Sequence, residues 1–88
     1  MSETALVDLG ELAVRIAEDR GDYFADRYTR RLEAYCQSLC TFLHRGLPCP
    51  DIGTNLRRIG FERRVTVYFR VSGDQVIIAR LLYAGRQP

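Results

Sequence analysis

Lysine is missing from this 88-residue chain: all 13 basic residues are arginine. A GC-rich coding sequence produces that bias with no functional cause, so it excludes little by itself. Histidine occurs once, at His44. No G-x-S-x-G, P-loop, dinucleotide fingerprint or paired-carboxylate arrangement is present, which removes the common hydrolase, nucleotide-binding and glycosidase readings. No signal peptide, transmembrane run or lipidation motif stands in the sequence, so the chain is expected in the cytoplasm with its three cysteines as reduced thiols. Repeats, low-complexity tracts and interdomain linkers are absent too, and residues 1–88 are expected to form one domain with one core. The net charge of +2 and pI ≈ 8.6 are too mild to argue for nucleic acid.

What is present is organised around residues 56–83, LRRIGFERRVTVYFRVSGDQVIIARLLY. Over 64–71 the chain alternates strictly, with Val65, Val67, Phe69 and Val71 on one face and Arg64, Thr66, Tyr68 and Arg70 on the other. That is the period of a half-buried strand. Ser72, Gly73 and Asp74 supply a turn. The return strand over 75–83 is nearly all apolar, broken by Arg80, so both its faces should be covered. Burying an unpaired guanidinium is costly. The expected register is therefore a three-residue loop that pairs Thr66 with Ala79 or Arg80 and keeps Arg80 off the Val/Phe face. One sheet face would then carry Arg64, Tyr68, Arg70 and Arg80.

Ahead of the hairpin, residues 5–20 read as an amphipathic helix. Leu6, Leu9, Leu12, Ala13, Ile16 and Ala17 form its apolar stripe, and Asp8, Glu11, Arg15, Glu18 and Asp19 lie opposite. Ser2 or Thr4 can cap its start and Gly21 its end. Asp22 caps a second helix over about 22–43, striped by Phe24, Tyr28, Leu32, Tyr35, Leu39 and Phe42. Neither helix can bury its stripe alone, so the antiparallel pair must lie on the Val/Phe face of the sheet. Residues 44–54 carry two prolines and two glycines and read as a loop, unable to sustain a helix or a central strand. Residues 56–59 then make a short edge strand, Gly60 marks a turn or bulge, and the strand resumes over 61–71. The tail over 84–88 should be mobile. The expected class is α+β, an N-terminal helical hairpin packed on a C-terminal antiparallel sheet of about three strands.

Cys36, Cys40 and His44 fall at i, i+4 and i+8, with Cys49 beyond. Such a face could begin a zinc site. Structural zinc, however, takes ligands in close pairs from two elements, and a free cysteine is usually a small buried apolar residue. No metal or cofactor is expected. His44 reads as a helix C-terminal cation favoured by the terminal carbonyls, rather than as a general base. The remaining constellation is cationic: Arg57, Arg58, Arg63, Arg64, Arg70, Arg80 and Arg86, with Tyr68 and Tyr83. It suits phosphate contacts or the acidic groups of a protein partner. It equally suits a solvated face whose arginine stems cover apolar surface.

In order and wording the chain resembles the ParE toxins of the RelE/ParE superfamily, the toxin halves of bacterial type II toxin–antitoxin modules. The matching pieces are Ala5-Leu-Val-Asp-Leu opening the first helix, Arg45-Gly46 closing the second, and Pro50-Asp51-Ile52 followed by Leu56-Arg57. Val67-Tyr68-Phe69-Arg70-Val71 and Val76-Ile77-Ile78-Ala79-Arg80-Leu81-Leu82-Tyr83 come after these. Family members commonly end their closing strand in a Leu-His-Gly-Arg-like string, and Leu82-Tyr83-Ala84-Gly85-Arg86 stands in that place.

The resemblance implies a helical hairpin on an antiparallel sheet and a ParD-like antitoxin that neutralises the toxin as a hetero-oligomer. It also implies a part in plasmid stabilisation and no sequence-specific DNA binding by this chain alone. ParE-like members are associated with poisoning DNA gyrase, RelE-like members with cutting messenger RNA on the ribosome. Target-binding candidates are Arg57, Arg58, Arg64, Arg70, Arg80, Tyr83 and Arg86; antitoxin-binding candidates are Leu9, Ile16, Tyr28, Tyr35 and Tyr68. A nuclease would have to recruit Arg80, Tyr83 and Glu62, and a tyrosine near its ordinary pKa of ~10 is a poor base at neutral pH. Without lysine, and with its histidine at the wrong end of the helix pair, the chain is expected to act by binding a protein. The ribonuclease reading is second, and an inactive antitoxin-binding remnant third. Relatives normally place a strand before the first helix, whereas only 1–4 precede Ala5 here. Either the true start lies upstream or the sheet is one strand short, leaving an edge that a partner's strand could cover.

Overall fold

The computed structural model describes residues 1–41 and 45–83. Helix α1 spans Glu3–Arg20, and its N-cap is Ser2, whose Oγ accepts from the Ala5 amide at 3.1 Å. Gly21, at φ 91°, ends α1 and starts α2, Asp22–Ser38. α1 turns Ala5, Asp8, Leu12 and Ile16 inward. The expected stripe is therefore corrected at two positions: Leu6 is exposed, and Asp8, placed on the polar side, is buried. Position 8 completes the i, i+3, i+4 spacing from Ala5 to Leu12, and its carboxylate finds partners on the sheet.

α2 buries Ala25, Tyr28, Leu32 and Cys36. It stops at Ser38 rather than near 43. The Ser38 hydroxyl donates to the Tyr35 carbonyl at 2.6 Å, and the amides of Leu39, Cys40 and Thr41 turn to carbonyls three residues back. The last turn tightens instead of extending. The expected end of the helix, with Phe42 and His44, lies outside the described residues, as does 84–88.

Among the described residues the sheet has four antiparallel strands in the order β1-β2-β3-β4: Leu47–Pro48, Leu56–Phe61, Val65–Ser72 and Gln75–Tyr83. β1 was not expected. It is two residues long and edge-placed, where Pro48 lacks no ladder bond that the sheet needs. β2 runs straight through Gly60, which pairs with Thr66, so the expected break there is absent. The reversal comes at Glu62 and Arg63, both left-handed at φ 48° and 60°, with the Arg64 amide donating to Phe61 O at 3.1 Å.

The β3–β4 register also differs from expectation. Ser72 pairs with Gln75 around the two-residue turn Gly73-Asp74, with Gly73 at φ 63°. A bulge then intervenes: Phe69 faces Ile78 while Tyr68 faces Arg80, leaving Ala79 as the extra residue, and Thr66 pairs with Leu82. The bulge rotates Arg80 onto the Tyr68 face, the outcome that burial costs demand, by a different route.

The helix pair covers the face carrying Phe61, Val65, Val67, Phe69, Ile78 and Leu81, which pack with Leu12, Ile16, Tyr28 and Leu32 into the main core. A smaller cluster of Cys49, Leu56, Tyr68 and Leu82 lies on the other face. There the 49–55 loop folds back, with the Cys49 amide on Leu56 O at 2.8 Å and the Val71 amide on Asn55 O at 3.3 Å. β4 is only partly covered, since Ile77 is exposed.

Candidate functional site

Cross-strand rows place the candidate side chains. On the face turned away from the helices, Arg58, Tyr68 and Arg80 share one row, and Leu56, Arg70 and Ile77 share the next. Tyr68 is buried beneath this surface while Arg58 and Arg70 are exposed. Neither arginine enters an ion pair among the described residues. The Arg70 guanidinium rests against the loop, with its Nη2 3.3 Å from where a Cβ on Gly53 would sit.

The other target-binding candidates are already engaged. Arg57 shares a row with Phe69 on the helix-side face, and its Nε and Nη2 donate to Arg45 O (2.8 Å) and Gly46 O (3.0 Å). It ties the interhelix-to-sheet loop to β2 and is not an open cation. Arg64 sits at the turn beside the Tyr28 hydroxyl and acts on it electrostatically, so it does not join the expected row of arginines. Tyr83 pairs with Val65 on the helix side, with the Arg15 guanidinium 5.8 Å above its ring. Arg86 lies outside the described residues.

Arg80 is the most constrained. Its Nε and Nη2 donate to Asp8 Oδ2 (2.8 Å) and Oδ1 (3.2 Å), and the Leu81 amide donates to the same Oδ2 at 3.0 Å. A buried carboxylate with three donors is well compensated. Sequence reading missed Asp8, although an acid in an otherwise apolar i, i+3, i+4 series was the signal. The nuclease set is likewise dispersed. Arg80 and Tyr83 stand in different cross-strand rows of β4 but both line the groove between α1 and β4, whereas Glu62, at the β2–β3 turn, takes two hydrogen bonds from Arg31, at 3.0 and 3.1 Å. Glu62 is not among the residues that line that groove, so the three do not share one site.

The antitoxin-binding candidates lie in or against the cores. Ile16, Tyr28 and Tyr68 are 2%, 1% and 4% exposed and belong to the two cores; Leu9 and Tyr35 pack against the main core. Ile16 and Tyr28 sit where a helix stripe meets the sheet, and Tyr68 packs with Cys49 and Leu56 on the other face, so all three are covered by the chain's own packing. Burial, with Glu62 adding to it, pushes the Tyr28 hydroxyl above its ordinary pKa, and this oxygen has no partner among the described residues. Cys36 and Cys49 occupy separate cores on opposite faces of the sheet, and Cys40 is exposed.

Formal charge is divided between the layers. α1 holds five carboxylates against two arginines, whereas residues 45–83 hold seven arginines against three carboxylates. Among the described residues no helix is long and apolar enough to cross a membrane.

Compared with known proteins, this fold is similar to a solved chain described as the chromosomal ParDE toxin–antitoxin system from P. aeruginosa. The TM-score is 0.79 at 20% identity, covering 93% of this chain and 89% of that one. At that identity the likeness speaks for the fold. No curated protein matches the sequence. The family model of the ParE toxin of the type II toxin–antitoxin system, parDE, matches residues 1–88. Helical hairpin, antiparallel sheet and full-length family match agree, and the chain belongs to the ParE toxin family.

Proposed function

We propose that this toxin acts in the cytoplasm by binding a protein target, DNA gyrase, and is neutralised by a ParD-like antitoxin. The observation that carries the non-enzymatic reading is the commitment of the candidate nuclease groups to structure. Arg80 clamps Asp8, Glu62 holds Arg31, and Tyr83 faces the helices. General acid–base cleavage of RNA needs a base, an acid and a phosphate-binding cation converging on one point, and Glu62, held by Arg31 at the β2–β3 turn, stands outside the groove that Arg80 and Tyr83 line. Arg58 and Arg70, exposed and outside any described ion pair, remain as the cations that meet an acidic surface. The choice of gyrase rests on family membership, not on a feature of this face.

Induction of the chain alone tests the reading. Growth arrest with filamentation and an SOS response is expected, and purified protein should trap cleaved DNA on gyrase. Arg58→Ala/Arg70→Ala should weaken that trapping by about tenfold or more while leaving the fold intact. Immediate loss of translation without an SOS signal, abolished by Tyr83→Phe, would replace this reading with ribosome-dependent cleavage. No arrest at all would leave an inactive antitoxin-binding remnant.

A further inference from the structure

The aliphatic residues that this chain leaves in water are gathered in two places. Leu6, Val7 and Val14 on α1, and Leu47, Ile52 and Ile77 on the sheet side, are 42–61% exposed. No other leucine, isoleucine or valine is exposed among the described residues. On α1 the three lie away from the inward-facing Ala5, Leu12 and Ile16. On the sheet, Leu47 pairs with Arg58 and Ile77 with Arg70, which puts both on the face turned away from the helices. Ile52 belongs to the loop that folds back over that face.

The two patches differ in charge. Glu3, Glu11 and Glu18 fall within about 60° of Val14 around the α1 axis, and no arginine of α1 does. None of the three has an ion pair among the described residues. Arg15 stands about 100° from Val14, with its guanidinium over the Tyr83 ring, and Arg80 is paired with Asp8. These two arginines make the groove between α1 and β4 mixed in charge, so the acidic surface is the outer stripe and not the groove. The sheet carries the complement. β1 to β4 contain no carboxylate, and Arg58 and Arg70 rise from neighbouring strands one row apart. Such diagonal neighbours stand about 7–8 Å apart. Glu11 and Glu18, two helical turns apart, stand about 10 Å apart, a difference that arginine side chains span.

We propose that the chain associates with copies of itself head to tail, the α1 stripe of one protomer seated on the outer sheet face of its partner. Aliphatic residues meet aliphatic residues, and Glu11 and Glu18 face Arg58 and Arg70. A second copy is the occupant because one chain carries both halves, opposite in charge and alike in apolar content and spacing. The stripe belongs to the helical layer and the arginine face to the far side of the sheet, so one two-fold contact cannot satisfy both. Each association leaves a stripe and a face open at the ends, and growth continues until a ring closes. A protomer whose sheet face is occupied has Arg58 and Arg70 withheld from the target proposed above. That consequence rests on the proposed function, whereas the association does not.

Sedimentation of the purified chain over a range of concentrations tests this. The average mass should climb past that of a dimer as concentration rises. Glu11→Arg/Glu18→Arg and Arg58→Glu/Arg70→Glu should each weaken association by about tenfold or more, because like charges then face each other. Amide spectra report that both variants fold. Mixing the two variants should restore association, as each then meets a surface of opposite sign, and a chain carrying all four changes should associate by itself. A wild-type chain that stays monomeric, or whose mass stops at a dimer, overturns the proposal. So does a mixture of the two variants that remains dissociated. A chain that associates as described but neither arrests growth nor traps DNA on gyrase supports the association and brings down the proposed function alone.

Discussion

Single residues show where this fold has no freedom. Gly46 adopts φ 79°, and a Cβ there would lie 2.3 Å from the Arg58 carbonyl oxygen, a backbone atom that cannot swing aside. The same glycine's carbonyl receives Arg57. Gly46→Ala should therefore cost about 3 kcal/mol or more, read as a lowered midpoint in urea. Cys36 is controlled by burial, which pushes its thiol from 9.0 to about 11, with Glu33 adding to the effect. The native state holds the proton to higher pH than the unfolded chain does. The stability it contributes is fully present below pH 9 and is lost as pH rises towards 11, by roughly 2–3 kcal/mol. Denaturant titrations between pH 8 and 11 should show that decline, and Cys36→Ala should flatten it. Tyr28, whose pKa is also raised by burial, should leave a residual slope of the same sign.

Elements show which parts of the architecture are legible in sequence. Alternation over 64–71 and the helical stripes of α1 and α2 mark the face that packs into the main core, and burial is written in residue type, although Tyr68 is buried on the opposite face of β3 as well. Turn chemistry is less openly written. Glu62 and Arg63 take left-handed conformations that favour Gly or Asn, while Gly60, the obvious candidate for a break, stays in the ladder. The β2–β3 reversal is thus placed by the pairing of Phe61 with Val65 across the core, against local preference. Arg63→Gly should relieve part of this conflict, stabilising the chain by about 0.5–1 kcal/mol, visible as a Tm raised by a few degrees. Glu62 and its hydrogen bonds to Arg31 would be unaffected. The Ala79 bulge was illegible for a related reason: no residue type marks it, and only the demand that Arg80 leave the core face requires it. Of the candidate residues, alternation places Arg70 on the outer face, while the engagement of Arg57 and Arg80 is not legible in sequence because their acceptors, loop carbonyls and Asp8, are remote.

At the scale of the molecule, one latch joins the helical layer to the far strand. Asp8 satisfies Arg80 and the Leu81 amide together, and Ser2 binds two carbonyls on the same edge. Asp8→Ala should cost about 1–3 kcal/mol, because the amide loses its acceptor while Arg80 can still reach water. Native-state hydrogen exchange should then show Leu81 exchanging much faster, with Asp8→Asn, which keeps an acceptor oxygen, intermediate. Unchanged protection at Leu81 would mean that the edge is closed by something other than this carboxylate.

The latch has a consequence in time as well as in space. Asp8 and Arg80 are 72 residues apart in sequence, so α1 is made long before the strand that fastens it. At ribosomal speeds of about 5–20 residues per second, that interval is on the order of 4–14 s. During it the nascent helices have no β3 or β4 to lie on, and their apolar faces stay uncovered. Topology thus delays maturation until after β4 has been translated. A cell making both halves of such a module has those seconds in which to meet an unfinished toxin before a finished one exists.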